Sequence, residues 1–237
     1  MSKWAGMTFA KFEEVKGFVP DKVVVIDTET TGLGEENNEV LSLSIVDYNG
    51  EVLFDHLIKP QKRVRWPNAQ EIHGISPADV KNEKTLLEYE NELRGFFDGS
   101  YLVVGYNAPF DVGMLRASGL DIHGIKAFDV MREAEKMNGR VTKLPECARI
   151  FGYEEFEAHG SLADAKATAY CFKRLMEDEG YLKIRELESS GLSTSNARII
   201  AAEKTAKQAG SGCMLPAMIA VLVPILAIVA VAAAWLA

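Results

Sequence analysis

Residues 22–33 read KVVVIDTETTGL. Lys22 to Asp27 is short and almost wholly apolar, the pattern of a central strand buried on both faces. The stretch goes on into two carboxylates, Asp27 and Glu29, spaced i and i+2. In a strand that spacing sends both side chains to the same face. Two like charges side by side at the edge of a core are unfavourable unless something neutralises them, and a divalent cation would do so. The same residues also suit a strand that simply ends in a polar turn, helped by Thr30, Thr31 and Gly32.

Outward from this strand, Val40–Asp47 and Glu51–Ile58 are two further strand candidates, joined by Tyr48-Asn49-Gly50 with its Asn-Gly hairpin signal. Pro60–Ala78 reads as a polar loop. Asp79–Phe97 reads as a helix, with Leu86, Leu87, Tyr89, Leu93, Phe96 and Phe97 forming an approximate apolar stripe. Tyr101–Gly105 and Ile125–Val130 are short strands. Helices are predicted from Pro109 to Ala117, near Val130–Met137 and Lys143–Phe151, and from Ser161 to about Glu179. Three strands followed by alternating strands and helices argue for an α/β fold, a mixed five-stranded sheet with helices on its faces. The expected organisation is a domain over residues 1–183, with 1–21 as a lead-in, then a partly helical linker over 184–212 rich in Ser, Ala, Gly, Lys and Glu, and a hydrophobic segment over 213–237.

Two more stretches carry candidate chemistry. In Gly105-Tyr106-Asn107-Ala108-Pro109-Phe110-Asp111 a strand gives way to a helix with Asp111 in its first turn. An acid there gains about 0.3–1 kcal/mol from the helix dipole, so the position alone does not require a site. In His159-Gly160-Ser161-Leu162-Ala163-Asp164, Ser161 and Asp164 have the spacing of a capping box.

Together, and in this order, VVVIDTETTGL, NAPFD and HGSLADA resemble the three exonuclease motifs of the DnaQ-like family. This is the group marked by four acidic residues and a histidine (DEDDh), to which the proofreading epsilon subunit of bacterial DNA polymerase III belongs. Ile72-His73-Gly74-Ile75 fits between the first two motifs, and the resemblance covers about residues 20–180. It implies a ribonuclease H-like fold and a 3′→5′ exonuclease releasing nucleoside 5′-monophosphates from DNA, or alternatively from RNA. The implied catalytic set is Asp27, Glu29, Asp111, His159 and Asp164. The four acids would be ligands of two divalent cations, Mg²⁺ or Mn²⁺, about 3.5–4 Å apart. Carboxylate oxygens suit such hard ions better than imidazole or thiolate. Asp27 would bridge the two ions, Glu29 and Asp164 would complete the ion that holds the attacking water, and Asp111 would support the other. His159 would take the water's proton, its ordinary pKa near 6.5 being suited to a base at neutral pH. Thr30, Leu33, His73, Asn107 and Phe110 are the candidate contacts to the terminal nucleotide.

The net charge of −8 excludes a protein that coats nucleic acid with a broad basic surface. Contacts to phosphate must be local or go through cations held on acids. Lys62, Arg63 and Arg65 form a small basic cluster that either tracks phosphates or lies on a solvated loop. The acidic loop GLGEENNE over 32–39 would disfavour bulky duplex, and Tyr106 stands where many relatives carry histidine. A polymerase partner is expected from the family, yet residues 184–212 show no clear clamp-binding peptide. Cys147, Cys171 and Cys213 are widely spaced with no CxxC pair, which predicts reduced thiols and no zinc site. Residues 1–20 carry no signal peptide. Met214–Ala237 holds no charged residue, and about 20 apolar residues suffice to cross a bilayer. The expectation is a transmembrane helix from about Leu215 to Leu236 at the end of the chain, inserted after translation. Lys204 and Lys207 would place the enzyme on the cytoplasmic side, and Cys213 lies at the border. A greasy helix packed on protein is the alternative.

Overall fold

The computed structural model describes residues 7–10, 14–15, 18–153 and 160–209. His159 and the hydrophobic segment 213–237, two of the sequence expectations, lie outside the described residues. The chain divides into two compact units, Met1–Met176 and Glu177–Ala237.

The first unit is built on a mixed sheet of β1 (Met7–Phe9), β2 (Val23–Thr30), β3 (Val40–Asp47), β4 (Val52–Leu57), β5 (Leu102–Gly105) and β6 (Ile125–Asp129). Their spatial order is β1-β6-β5-β2-β3-β4. β2 lies between β5, parallel to it, and β3, antiparallel to it. Val23, Val24, Val25 and Ile26 are all at or below 3% exposure, because helices cover both faces and each buried branched side chain contributes about 1.5–3 kcal/mol. The five expected strands are present. The five-stranded count is corrected to six: Met7–Phe9, read as lead-in, pairs in parallel with β6, Met7 opposite Ile125. Three residues are too few to show an alternation, so this strand is set by backbone pairing to an existing edge.

The helices of this unit are α1 (Pro67–His73), α2 (Pro77–Val80), α3 (Glu90–Leu93), α4 (Ala108–Ala117), α5 (Val130–Asn138), α6 (Leu144–Ile150) and α7 (Ser161–Glu177). Two expectations change here. The loop 60–78 contains α1, started by Pro67 in its first turn and closed by Gly74 at φ 77°, the left-handed C-cap for which glycine is suited. The single helix expected over 79–97 is instead α2, a 3-10 turn over Leu86–Tyr89, α3 and another 3-10 turn over Arg94–Phe96. Ser76 with Asp79 and Thr85 with Glu88 form two separate capping boxes. Each one starts a new short element and interrupts the apolar stripe.

The core between β2 and α4 gathers Val24, Ile26, Leu43, Ile45, Val103, Val112, Met114 and Leu115. A smaller cluster of Leu41, Trp66 and Val80 supports α1. In the second unit, α8 (Glu179–Ser189) and α9 (Thr194–Ala209) pack through Ile184, Ala197 and Ala201. The described part of 184–212 is therefore largely helical. Among the described residues, no helix is long and apolar enough to cross a membrane.

Candidate active site

Alternation along β2 sends Val24, Ile26 and Thr28 to one face and Asp27 and Glu29 to the other. The antiparallel register sets Asp27 opposite Ser44 and Glu29 opposite Ser42, so the two acids and the two serines share a face. The Ser161 hydroxyl, at the first residue of α7, lies 2.6 Å from that of Ser42 and 2.8 Å from that of Ser44. These buried contacts dock the start of α7 on β3. Asp164, one turn further on, is thereby aimed at the paired acids. Carboxylate oxygens of Asp27, Glu29 and Asp164 all lie within 4.8 Å of one another.

Asp111 comes from α4, on the other layer. It is 3% exposed, and one oxygen accepts both the Thr28 N–H at 3.1 Å and the Thr28 hydroxyl at 2.8 Å. This anchors the first turn of α4 to the middle of the DTE run. Asn107 precedes it in a left-handed conformation, φ 72°, with its N–H donated to Asp129 at 3.0 Å. Asp129 also caps α5 through the Met131 N–H. At Gly105 an added Cβ would come within 2.9 Å of the Ala108 Cα, so the tight entry into α4 requires glycine there.

Crowding shows in the proton affinities. Burial and the charges of Asp111, Asp164 and Glu29 push Asp27 well above the usual carboxylate range. Burial, then Asp164, pushes Glu29 up to about 7. Burial raises Asp111 to about 8 against the opposing hydrogen bonds from Thr28. Added positive charge would favour the charged form of these groups. The donor set fits a divalent cation: hard carboxylate oxygens that converge on one point.

Beside the acids lies an open cleft of about 540 Å³, with Glu29, Thr30, Leu33, His73 and Phe110 in its walls and α1 along one side. A register shift between Glu29 and Thr30 leaves Leu41 of β3 as an extra residue, a bulge of the kind that re-aims side chains near sites. Leu33 is 86% exposed and Ile72 62% exposed; both stand at the cleft. His73 Nδ1 accepts the Ile75 N–H at 3.1 Å, which leaves Nε2 to donate to the Thr30 carbonyl at 3.2 Å. Burial lowers its pKa. Asn107 is exposed at the start of α4 and is not part of the cleft lining. Thr28, Ser42 and Ser44 are supports that the reading of the sequence missed. The alternation of Ser42 and Ser44 with Leu41, Leu43 and Ile45 was the available signal.

A mixed sheet with acids converging on its central strand is the arrangement of ribonuclease H-like folds. Residues 24–172 match the exonuclease family RNase_T, and the chain belongs to this DnaQ-like exonuclease family. It is 30% identical over 176 residues to the PolC-type DNA polymerase III of Thermotoga maritima, covering 70% of this chain and 13% of that one. It is 27% identical to RNA exonuclease 4 of Mycosarcoma maydis, covering 65% of this chain and 42% of that one. The chain thus spans well under half the length of these relatives. Among solved structures, exonuclease X in complex with 5′-overhanging duplex DNA shares the fold, with a TM-score of 0.53 and 22% identity, over 76% of this chain and 99% of that one.

Proposed function

We propose that this protein removes nucleotides one at a time from the 3′ ends of DNA, releasing nucleoside 5′-monophosphates. The observation that supports this best is the convergence of Asp27, Glu29 and Asp164 beside an open cleft. These three would hold one divalent cation, Mg²⁺ or Mn²⁺, and Asp27 with Asp111 a second. When bound, such ions lower the pKa of water and offset charge building on phosphorus. His159, five residues before Asp164 in the sequence, takes the proton of the attacking water as general base. Thr30, Leu33, His73 and Phe110 receive the terminal nucleotide, Leu33 offering an apolar face to its base. Asn107 orients the strand from the start of α4. His73, hydrogen-bonded to the Thr30 carbonyl, keeps α1 and the motif-one loop at a fixed separation.

Similarity to a DNA polymerase III favours DNA, in replication, proofreading or repair, with a DNA polymerase as the partner. Similarity to RNA exonuclease 4 favours the second reading, an RNA exonuclease. The uncharged stretch Leu215–Leu236, at about 1.5 Å per residue, is long enough for a bilayer core of roughly 30 Å. We read it as an anchor, joined through 184–212, that holds the exonuclease domain at a membrane on the cytoplasmic side.

The test uses full-length protein in detergent with 5′-labelled single-stranded DNA, mismatched-end duplex and RNA, each with Mg²⁺, Mn²⁺ or EDTA, beside Asp27→Ala. A ladder shortening from the 3′ end, absent with EDTA and in the variant, is expected. Folded protein that cuts none of these would leave a silent nucleic-acid-binding module in its place.

A further inference from the structure

Arg63 and Arg65 line the same cleft as Glu29, on the loop between β4 and α1. This loop is held at both ends. The buried Glu39 carboxylate, 5% exposed, accepts the backbone N–H groups of Gln61, Lys62 and Arg63, each at 2.8 Å. The buried Trp66 indole donates to the Ile75 carbonyl at 2.7 Å. Arg63 is oriented further by its Nε, which donates to the Asn37 carbonyl at 2.6 Å. Among the described residues no hydrogen bond or ion pair engages the exposed Arg65 side chain, although the protein carries 34 acidic residues against 26 basic ones. A merely solvated loop would not need a buried carboxylate spent on three of its amides. Fixing the backbone of a basic segment reduces the entropy lost when its side chains engage a ligand.

We propose that Arg63 and Arg65 form a phosphate-binding subsite for the strand whose end lies in the cleft, with Glu39 as the residue that positions it. This rests on the reading of the cleft as a nucleic-acid site. A planar guanidinium can grip a phosphate through two parallel hydrogen bonds, which an ammonium cannot. The phosphate has two sources: a phosphodiester of the strand, or a phosphate on the 3′ oxygen of the last nucleotide.

The experiment is anisotropy on full-length protein in detergent, with Ca²⁺ in place of Mg²⁺ and KCl varied. The probes are labelled single-stranded oligonucleotides ending in a 3′ hydroxyl or a 3′ phosphate. Arg65→Ala should weaken binding roughly tenfold, as loss of a charge-assisted contact implies, and should lower the salt slope by about 0.7. Arg65→Lys should keep the slope and recover only part of the affinity. Equal losses on both probes assign the phosphate to the strand; a larger loss on the 3′-phosphorylated probe assigns it to the terminus. Wild-type affinity and slope in Arg65→Ala, with an unchanged melting curve, would overturn the subsite. Because binding is read without cleavage, arginine-dependent binding by a protein that cuts nothing would keep the subsite and remove the exonuclease reading.

Discussion

Asp27 is approached by three other carboxylates, and burial in that company is unfavourable to its charged form. Replacing it with asparagine keeps the shape and removes the charge. Asp27→Asn should abolish metal-dependent cleavage and, without metal at pH 8, stabilise the fold by roughly 1–3 kcal/mol, a rise of about 2–4 °C per kcal/mol at this size. A melting curve at or below wild type would show that the acids are not mutually repelling. His159→Ala should slow cleavage by about 10²–10⁴ while calorimetry still registers Mg²⁺ binding; an unchanged rate would exclude the proton-acceptor role. At this scale the sequence was informative where chemistry is written in one residue type: DTE, the Asp of NAPFD and the Asp of HGSLADA are visible as carboxylates. Thr28 and Glu39 were not, because a threonine and a glutamate in polar company read as surface until their partners, 83 and about 23 residues away, are known.

Among the elements, the start of α7 carries the most consequence. Ser161 meets Ser42 and Ser44 in a buried trio of hydroxyls, and Asp164 follows one turn later. Ser161→Ala would remove the buried partner of the Ser42 hydroxyl, while Ser44 keeps its bond to Asp55 at 2.7 Å, costing about 1–3 kcal/mol. It should also weaken Mg²⁺ binding several-fold by loosening Asp164; the same affinity by calorimetry would detach the serines from the site. The strands were legible because VVVI and its neighbours are continuous apolar runs. The broken region 77–96 was less so: its apolar stripe suggested one helix, whereas Ser76-x-x-Asp79 and Thr85-x-x-Glu88, both present in the sequence, mark separate starts. α1 was hidden because Pro67 and Gly74 enclose a polar segment with no buried residue, so hydrophobic periodicity had nothing to report.

For the whole molecule the raised carboxyl groups set a pH dependence. Their folded pKa values lie above the unfolded ones near 4, so between those limits the folded state binds more protons. Their contribution is therefore most favourable below about pH 4 and is lost as pH rises toward 7 for Glu29 and 8 for Asp111. A divalent cation reverses this, and Mg²⁺ at 100 times its Kd adds about 2.7 kcal/mol. Melting curves should accordingly show a larger Mg²⁺ effect at pH 8 than at pH 5; equal effects would argue that the ion binds elsewhere. The sixth strand was beyond the sequence, since a three-residue strand is set by its pairing partner and not by its own composition.

The four acids stand at positions 27, 29, 111 and 164, and the last of them reaches the others only through a helix seated on the third strand. During synthesis, then, more than a hundred residues leave the ribosome before the acid cluster can be assembled. A half-made or proteolytically clipped copy lacking that helix would carry the cleft without the full cluster of acids. On the proposed reading of the four acids, such a fragment would not cut nearby nucleic acid, a form of safety built into the order of the chain.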